Sequence, residues 1–400
     1  MSQASKGLPE LSLKERDRRY ALIRRELRNA KVDCVIVTGA NLFYITNGIP
    51  GEMFGLFPAT NDLPTVVINF RQLVDISVDV LLDMQEWVRD IRGGVDGSQI
   101  VARMKDLRLE NGTLGLAGYG SINHAFYAQL QKAFPDAKFV DVSGIFTNAR
   151  TIKSEEEIAM IDMANRIFDR AVERVCEVAR PGMLGRRLLQ EGINAMWTAG
   201  GDMHSSFNLH LGPVPKQNPV LMQICLDRAI QKGDIGTLTA HAEYHHYAGH
   251  SDHQFSVGEP KSLHRDLFRA VLDVRAKVLG AVRQGVSHLD LVETYRRAVA
   301  ETGFRSSPHS QTHQYGIDVP EFPGPAFNIP DPSKEQLSKT LGLGFRGSNF
   351  TLKAGMVYSI SPTLLANDGD DTMLAGTTIV VTETGFKELG DRKLELSIIE

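Results

Sequence analysis

The stretch "DIGTLTAHAEYHHYAGHSDHQFSVG", residues 234–258, constrains this chain more than any other. Its first half alternates polar and apolar residues, the signal of a half-buried strand. A hairpin turning near Glu243–His246 places Thr239 and His241 on one face of its first strand. His250, Asp252 and Gln254 then share one face of the second strand, and Ser251 and His253 take the other. Five of the twelve histidines fall here: His241, His245, His246, His250 and His253. Histidine titrates near neutral pH, and an adjacent carboxylate fixes its tautomer and favours its cation. A metal site, a metal-free acid–base site and a decorated surface hairpin all fit this pattern.

The rest of the chain frames the hairpin in two ways. Residues 13–31 read as an amphipathic helix, and the mixed signs of "KERDRRYALIRRELR" suggest a solvated helix face. "DCVIVTG", "LPTVVINF" and "GTLGLAG" read as strands, with "NHAFYAQLQKAF" a helix before "AKFVDVS". Strands alternating with helices predict an α/β layer over residues 1–150. "NLFYITNGIPGEMFGLFPATN", residues 41–61, reads as an aromatic, Gly-rich loop. Beyond residue 150 the pattern changes. Ser154 and Glu157 match a capping box, and Ile158, Ile161, Ala164, Ile167 and Phe168 follow at helical spacing. Helices, strands, helices and strands succeed one another to the C-terminus, a weak internal duplication in an α+β region spanning residues 151–400. "PVLMQICL" reads as one of those strands and "GPAFNIPDPSKEQLSKTLG" as an irregular loop.

Composition excludes several classes. The net charge is -4, and no Lys/Arg block is long enough for a nucleic-acid surface. No apolar run approaches the roughly 20 residues of a membrane span. The N-terminus has no apolar core of the secretory kind. Cys34, Cys176 and Cys225 are odd in number and far apart, so neither a disulfide framework nor a paired CxxC zinc site is expected, and a reducing cytoplasm is.

In order along the chain, "ARTIKSEEEIAMIDMANRI", the hairpin, "HQYGIDVPE", "LKAGMVYSISP" and "TTIVVTETG" resemble the segments of the pita-bread enzymes: aminopeptidase P, prolidase, methionine aminopeptidase and creatinase. The resemblance implies a creatinase-like α/β N-terminal domain, residues 1–150, before an α+β pita-bread catalytic domain with pseudo-twofold symmetry, residues 151–400. It also implies a homodimer acting on a small-molecule substrate. Most such enzymes hold two metal ions through two Asp, one His and two Glu. Carried over, those positions fall on Thr239, His250, His313, Ser361 and Gly376. Thr, Ser and Gly supply no anion to balance two dications, so neither a dinuclear site nor another cofactor is expected. Creatinase works without metal. Its catalytic His falls near Gln217, and its two substrate-binding Glu fall on Asp252 and Ser361.

The expected catalytic residues are therefore His250, Asp252, His313 and His241. His210, Gln217, Tyr247, Glu321 and Ser361 are expected to bind substrate, with His204, Tyr315, Arg305 and Arg346 behind them. The leading expectation is a metal-independent hydrolase of a C–N bond in a small polar molecule. Three alternatives stand beside it: a lyase acting by β-elimination, a mononuclear metallo-(amino)peptidase holding its ion through His250 and His313, and a non-catalytic binding protein.

Overall fold

The structure is a computed structural model that describes residues 7–49, 51–69, 78–84, 86–118, 122–212, 227–307, 311–317, 350–367 and 371–400. The chain divides into two compact units, one of Glu10–Arg150 and one of Met1–Pro9 with Thr151–Glu400.

The first unit opens with α1 (Leu13–Asn29), whose N-terminus is capped by Ser12 Oγ accepting from the Glu15 amide at 3.2 Å. Strands β1 (Cys34–Val37), β2 (Glu52–Pro58), β3 (Thr65–Asn69), β4 (Asp90–Gly94), β5 (Thr113–Ala117) and β6 (Lys138–Asp141) form one sheet in the order β4-β3-β2-β1-β5-β6. Between them lie α2 (Ala40–Thr46), α3 (Val78–Met84), α4 (Ser98–Asp106) and α5 (His124–Ala133), and α6 (Ser143–Thr151) follows. Leu56, Val67, Leu114 and Leu116 pack with Ile100, Met104 and Leu130 in its core.

Two sequence expectations fail here for local reasons. Residues 41–61 are not one loop; they carry most of α2 and all of β2. Gly55 sits inside β2 because a Cβ there would lie 2.5 Å from the Leu42 side chain. The Gly that suggests a loop is a close helix–strand contact. Nor is the charged face of α1 wholly solvated. Arg19 is 0% exposed and pairs with the buried Glu15 at 2.7 Å. It also donates to the Tyr44 carbonyl at 2.9 Å and lies over the Tyr44 and Trp87 rings. Such satisfaction is what a buried guanidinium requires.

In the second unit α7 (Glu155–Val178) starts at a complete capping box between Ser154 and Glu157. It buries Ile161, Ala164, Ile167, Phe168 and Val172 on one stripe. Full burial of an Ile or Phe side chain stabilises by about 1.5–3 kcal/mol each. After α8 (Gly185–Thr198) come β7 (Ser206–Leu211), β8 (Ile235–Tyr244) and β9 (Tyr247–Val257). The pattern then repeats: α9 (Ser262–Ala281), α10 (His288–Ala300), and strands β10 (Arg305–Ser306), β11 (Gln311–Gln314), β12 (Val357–Ser361), β13 (Thr363–Leu365), β14 (Thr372–Leu374), β15 (Thr377–Val381), β16 (Phe386–Glu388) and β17 (Leu396–Ile399). The main sheets run β17-β9-β8-β7 and β11-β12-β15-β16, with a small sheet β10-β13-β14. Helices α9 and α10 cover the second half through Leu267, Val271, Val274, Val278, Val292 and Tyr295. Among the described residues no helix is long and apolar enough to cross a membrane.

The hairpin turns on His245 and His246, flanked by the pair Tyr244↔Tyr247. Both turn residues have positive φ, 47° and 63°, as the tightest two-residue hairpin turn demands. β8 alternates half-buried and buried residues, whereas every residue of β9 is buried. β9 meets the second sheet edge-on. His250 N–H donates to Thr378 Oγ1 at 2.9 Å, and Asp252 N–H to the Gly376 carbonyl at 3.0 Å.

Candidate active site

The seam between β9 and the second sheet gathers a polar centre. The hairpin register pairs Thr239 with Asp252 and His241 with His250. His250 is fixed on every side. Its Nε2 lies 3.0 Å from Thr239 Oγ1 and 3.4 Å from Asp252 Oδ1, and its Nδ1 lies 2.8 Å from Ser359 Oγ. Its ring stacks on Tyr315 at 5.6 Å and 11°. Ser359 Oγ lies 3.0 Å from Ser361 Oγ, and Ser361 in turn hydrogen-bonds Asp252. His241 is 4.9 Å from His250 between ring centroids, with its Nε2 3.4 Å from the Tyr315 hydroxyl. Among the described residues the centre is thus filled by polar side chains and Tyr315.

Burial sets the charges. It lowers the His241 pKa to about 3, with the neighbouring His250 adding to the effect and Asp252 opposing it. It raises Asp252, against hydrogen bonds from Thr239 and Ser361. Tyr315 is raised well above its ordinary value, so its phenol stays protonated. His210 on β7 stands opposite Thr237 on β8, and burial lowers its pKa while Asp252 pulls it up.

The expected site residues divide accordingly. His241, His250, Asp252 and Ser361 meet at the centre, and His210 approaches it. His313 lies on β11 opposite Ser359, the partner of His250, but its side chain is outside the described residues. Gln217, Glu321 and Arg346 lie outside them too, as do the strand expected over "PVLMQICL" and the loop over "GPAFNIPDPSKEQLSKTLG". Tyr247 is a correction. Its hydroxyl donates to Glu157 Oε1 at 3.0 Å, the carboxylate that caps α7, so it anchors a helix instead of orienting a substrate. Arg305 is exposed and donates to the Ala366 carbonyl at 3.2 Å. His253, on the opposite face, lies 2.9 Å from Ser397 Oγ through its Nε2 and accepts from Arg392. Ser359 and Thr378 join the centre without a motif that marks them in the sequence. Ser359 was within reach, because it shares a strand face with Ser361 two residues on. Thr378 holds β9 by paired backbone contacts and leaves no signal in the sequence.

A pita-bread scaffold implies divalent metal, and the residues present decide how much fits. Among the described residues Asp252 is the carboxylate that acts on His241, and its Oδ1 lies 3.4 Å from His250 Nε2. That carboxylate alone does not supply the charge to bridge two ions. A single ion fits better. Asp252 is 2% exposed, and its Oδ2 has no hydrogen-bond partner among the described residues. An unsatisfied buried carboxylate oxygen is costly, and a cation relieves it. Gly376 packs closely beside it, where a Cβ would stand 2.8 Å from that oxygen and 1.7 Å from Ser361 Oγ. His250 and Asp252 form half of such a ligand set. The ligand atoms of His241, His250 and Asp252 do not all converge within 4.8 Å of one another, so the third ligand is not His241 as it stands.

Comparison with known proteins agrees with this architecture. The model of metallopeptidase family M24 matches residues 159–383, and that of the creatinase/prolidase N-terminal domain matches residues 19–152. The chain is 22% identical over 373 residues to an Xaa-Pro dipeptidase of Pyrococcus horikoshii, covering 91% of this chain and 94% of that one. An uncharacterised peptidase of Bacillus subtilis is 25% identical over 368 residues, covering 91% and 95%. The solved structure of an Xaa-Pro dipeptidase from Bacillus anthracis superposes with a TM-score of 0.79 at 21% identity, covering 96% of this chain and 99% of its own. These matches overturn the expectation of a metal-independent enzyme for a non-peptide C–N bond, since the relatives are named for peptide cleavage within a metallopeptidase family. The chain belongs to metallopeptidase family M24.

Proposed function

We propose that this M24 chain is a hydrolase of short peptides, of the Xaa-Pro type its relatives are named for, working with one divalent ion instead of two. The observation that carries the reading is the buried Asp252 carboxylate, with one oxygen 3.4 Å from His250 Nε2 and the other unpartnered among the described residues. His250 and Asp252 would hold the ion, with His313 as the third ligand from its place opposite Ser359. When bound, such an ion lowers the pKa of a water and polarises a carbonyl oxygen.

The chain's own residues prepare that centre. Ser359 holds His250 through Nδ1, which orients the ring and leaves Nε2 facing Thr239 and Asp252. His241, kept neutral by burial, can accept a hydrogen bond at Nε2, and the protonated Tyr315 hydroxyl beside it can donate one. The pair can orient a polar substrate group by hydrogen bonding. The reading includes a cytoplasmic homodimer, supported by the dispersed cysteines for the compartment.

The test is direct. Chelator-treated protein is given Zn, Mn or Co and assayed on a panel of Xaa-Pro dipeptides, with metal content measured in parallel. The reading expects turnover that follows ion content and a strong loss in Asp252→Asn. Full dipeptidase activity in metal-stripped protein, or none with any ion, rejects it. Light scattering of purified protein tests the dimer.

A further inference from the structure

A second cluster lies on the same hairpin and plays no part in the centre just described. Asp202, in the loop after α8, Glu243, near the end of β8, and His246, in the turn, each bring one ligand atom to within 4.8 Å of the others. The His204 ring lies 6.2 Å from the His246 ring. In sequence the set is a D-x-H followed by an E-x-x-H, "DMH" at 202–204 and "EYHH" at 243–246. Glu243 shares its strand face with His241, two residues or roughly 7 Å of strand away.

Hydrogen bonding accounts for Asp202 at the hairpin tip but not for the Glu243 carboxylate. The backbone already ties the loop to the hairpin. Asp202 N–H donates to the Glu243 carbonyl at 2.9 Å, Glu243 N–H to Ser205 Oγ at 2.9 Å, and His246 N–H to Asp202 Oδ2 at 2.6 Å. The Glu243 carboxylate receives no hydrogen bond among the described residues, and no Lys or Arg among them pairs with it or with Asp202. It is half-buried beside a second carboxylate, and both burial and Asp202 raise its pKa. Two facing carboxylates repel unless a cation lies between them.

We propose that Asp202, Glu243 and His246, with His204 as fourth donor, bind one divalent transition-metal ion that staples the 202–205 loop to the hairpin tip. Two carboxylates balance a dication, and two imidazoles with two oxygens suit zinc-like tetrahedral coordination. Calcium and magnesium ask for more oxygen ligands than the cluster offers. The backbone carries the ion-free fold, so the ion adds rigidity to the rim of the strand face that leads to His241.

The site stands independently of the Xaa-Pro reading, and its test is kept separate. Full-length wild type, Glu243→Gln and His246→Asn are stripped with chelator and loaded with Zn or Co; Asn is chosen because it accepts the left-handed backbone at 246. The expected result is one bound equivalent fewer in each variant than in wild type. The visible absorption of tetrahedral cobalt is correspondingly reduced, and zinc raises the unfolding temperature less in the variants than in wild type. Asp252→Asn, which touches only the central ion, retains this equivalent. Equal metal content and equal cobalt spectra in wild type and both tip variants overturn the proposal.

Discussion

Gly376→Ala makes the closest test of how tightly the centre is packed. The residue lies just before β15, beside the Ile360↔Thr377 pair that joins β12 to β15. A Cβ there would stand 1.7 Å from Ser361 Oγ, 2.5 Å from Ser361 Cβ and 2.8 Å from Asp252 Oδ2. Carbon atoms rest about 3.5–4.0 Å apart, so the Cβ–Cβ contact alone needs a shift of roughly 1 Å between paired strands. Ser361 has no flexible end to swing aside beyond its hydroxyl, and the methyl would also press on Asp252 Oδ2. Overpacking of a tight core costs about 1–3 kcal/mol, and this contact belongs at the upper end, about 2–3 kcal/mol. For a unit of this size each kcal/mol lowers Tm by about 2–4 °C, so a fall of roughly 5–10 °C is expected. Scanning calorimetry with near-UV dichroism as a second probe measures it. The companion variants make the argument specific. Ser361→Ala removes only the hydroxyl and leaves the 2.5 Å Cβ contact, so it rescues Gly376→Ala poorly. Ser361→Gly removes both atoms and rescues well, read as a double-mutant cycle. A Tm for Gly376→Ala within about 2 °C of wild type, or equal rescue by the two Ser361 variants, refutes the packing argument.

The other predictions concern charge and anchoring. Tyr247→Phe should cost about 1–2 kcal/mol by urea unfolding, through the lost bond to Glu157, and leave KM unchanged; a raised KM would return Tyr247 to the substrate site. His241 and His253 both have folded pKa values of about 3 against an ordinary 6.5, because burial excludes their cations. The unfolded chain takes up those protons first, so stability should fall as pH drops from about 6.5 toward 3, and His241→Gln should shallow the slope of Tm against pH over that window. Asp252 runs the other way. Its carboxyl is raised above the ordinary 3.8, so its ionisation opposes folding as pH rises through and above that range. In chelator, Asp252→Asn should therefore gain stability relative to wild type with increasing pH, and a constant difference from acid to neutral pH would contradict the assignment.

Much of this molecule is legible in the sequence, and the failures share a cause. The hairpin was readable because alternation carries one face per strand, and Thr239, His241, His250 and Asp252 follow from it directly. The capping box at Ser154 and Glu157 was readable because its contacts are local. What misled was every feature whose partner lies far away in sequence. Gly55 reads as a loop residue until Leu42 is placed against it, and Arg19 reads as solvated until Tyr44 and Trp87 enclose it. Tyr247 reads as a pocket residue until Glu157 appears beneath it. The choice of chemistry failed for a different reason. Residue identities at aligned positions do not show how a carboxylate is surrounded, and Asp252 Oδ2 becomes significant only once it is seen to have no hydrogen-bond partner among the described residues.

Strand β9, buried along its whole length, has a consequence for how such a protein changes over evolutionary time. His250 and Asp252 face the centre, while Ser251 and His253 between them bond to Asn165 and Ser397 on the other side. Chemistry and scaffold thus share one backbone segment, and an altered residue on it must satisfy both. The neighbours of β9 carry less of that double duty, since β8 is buried only at alternate positions. New activities in this architecture should therefore arise first by exchange at Thr239 and His241, with the central strand the slowest part of the site to diverge.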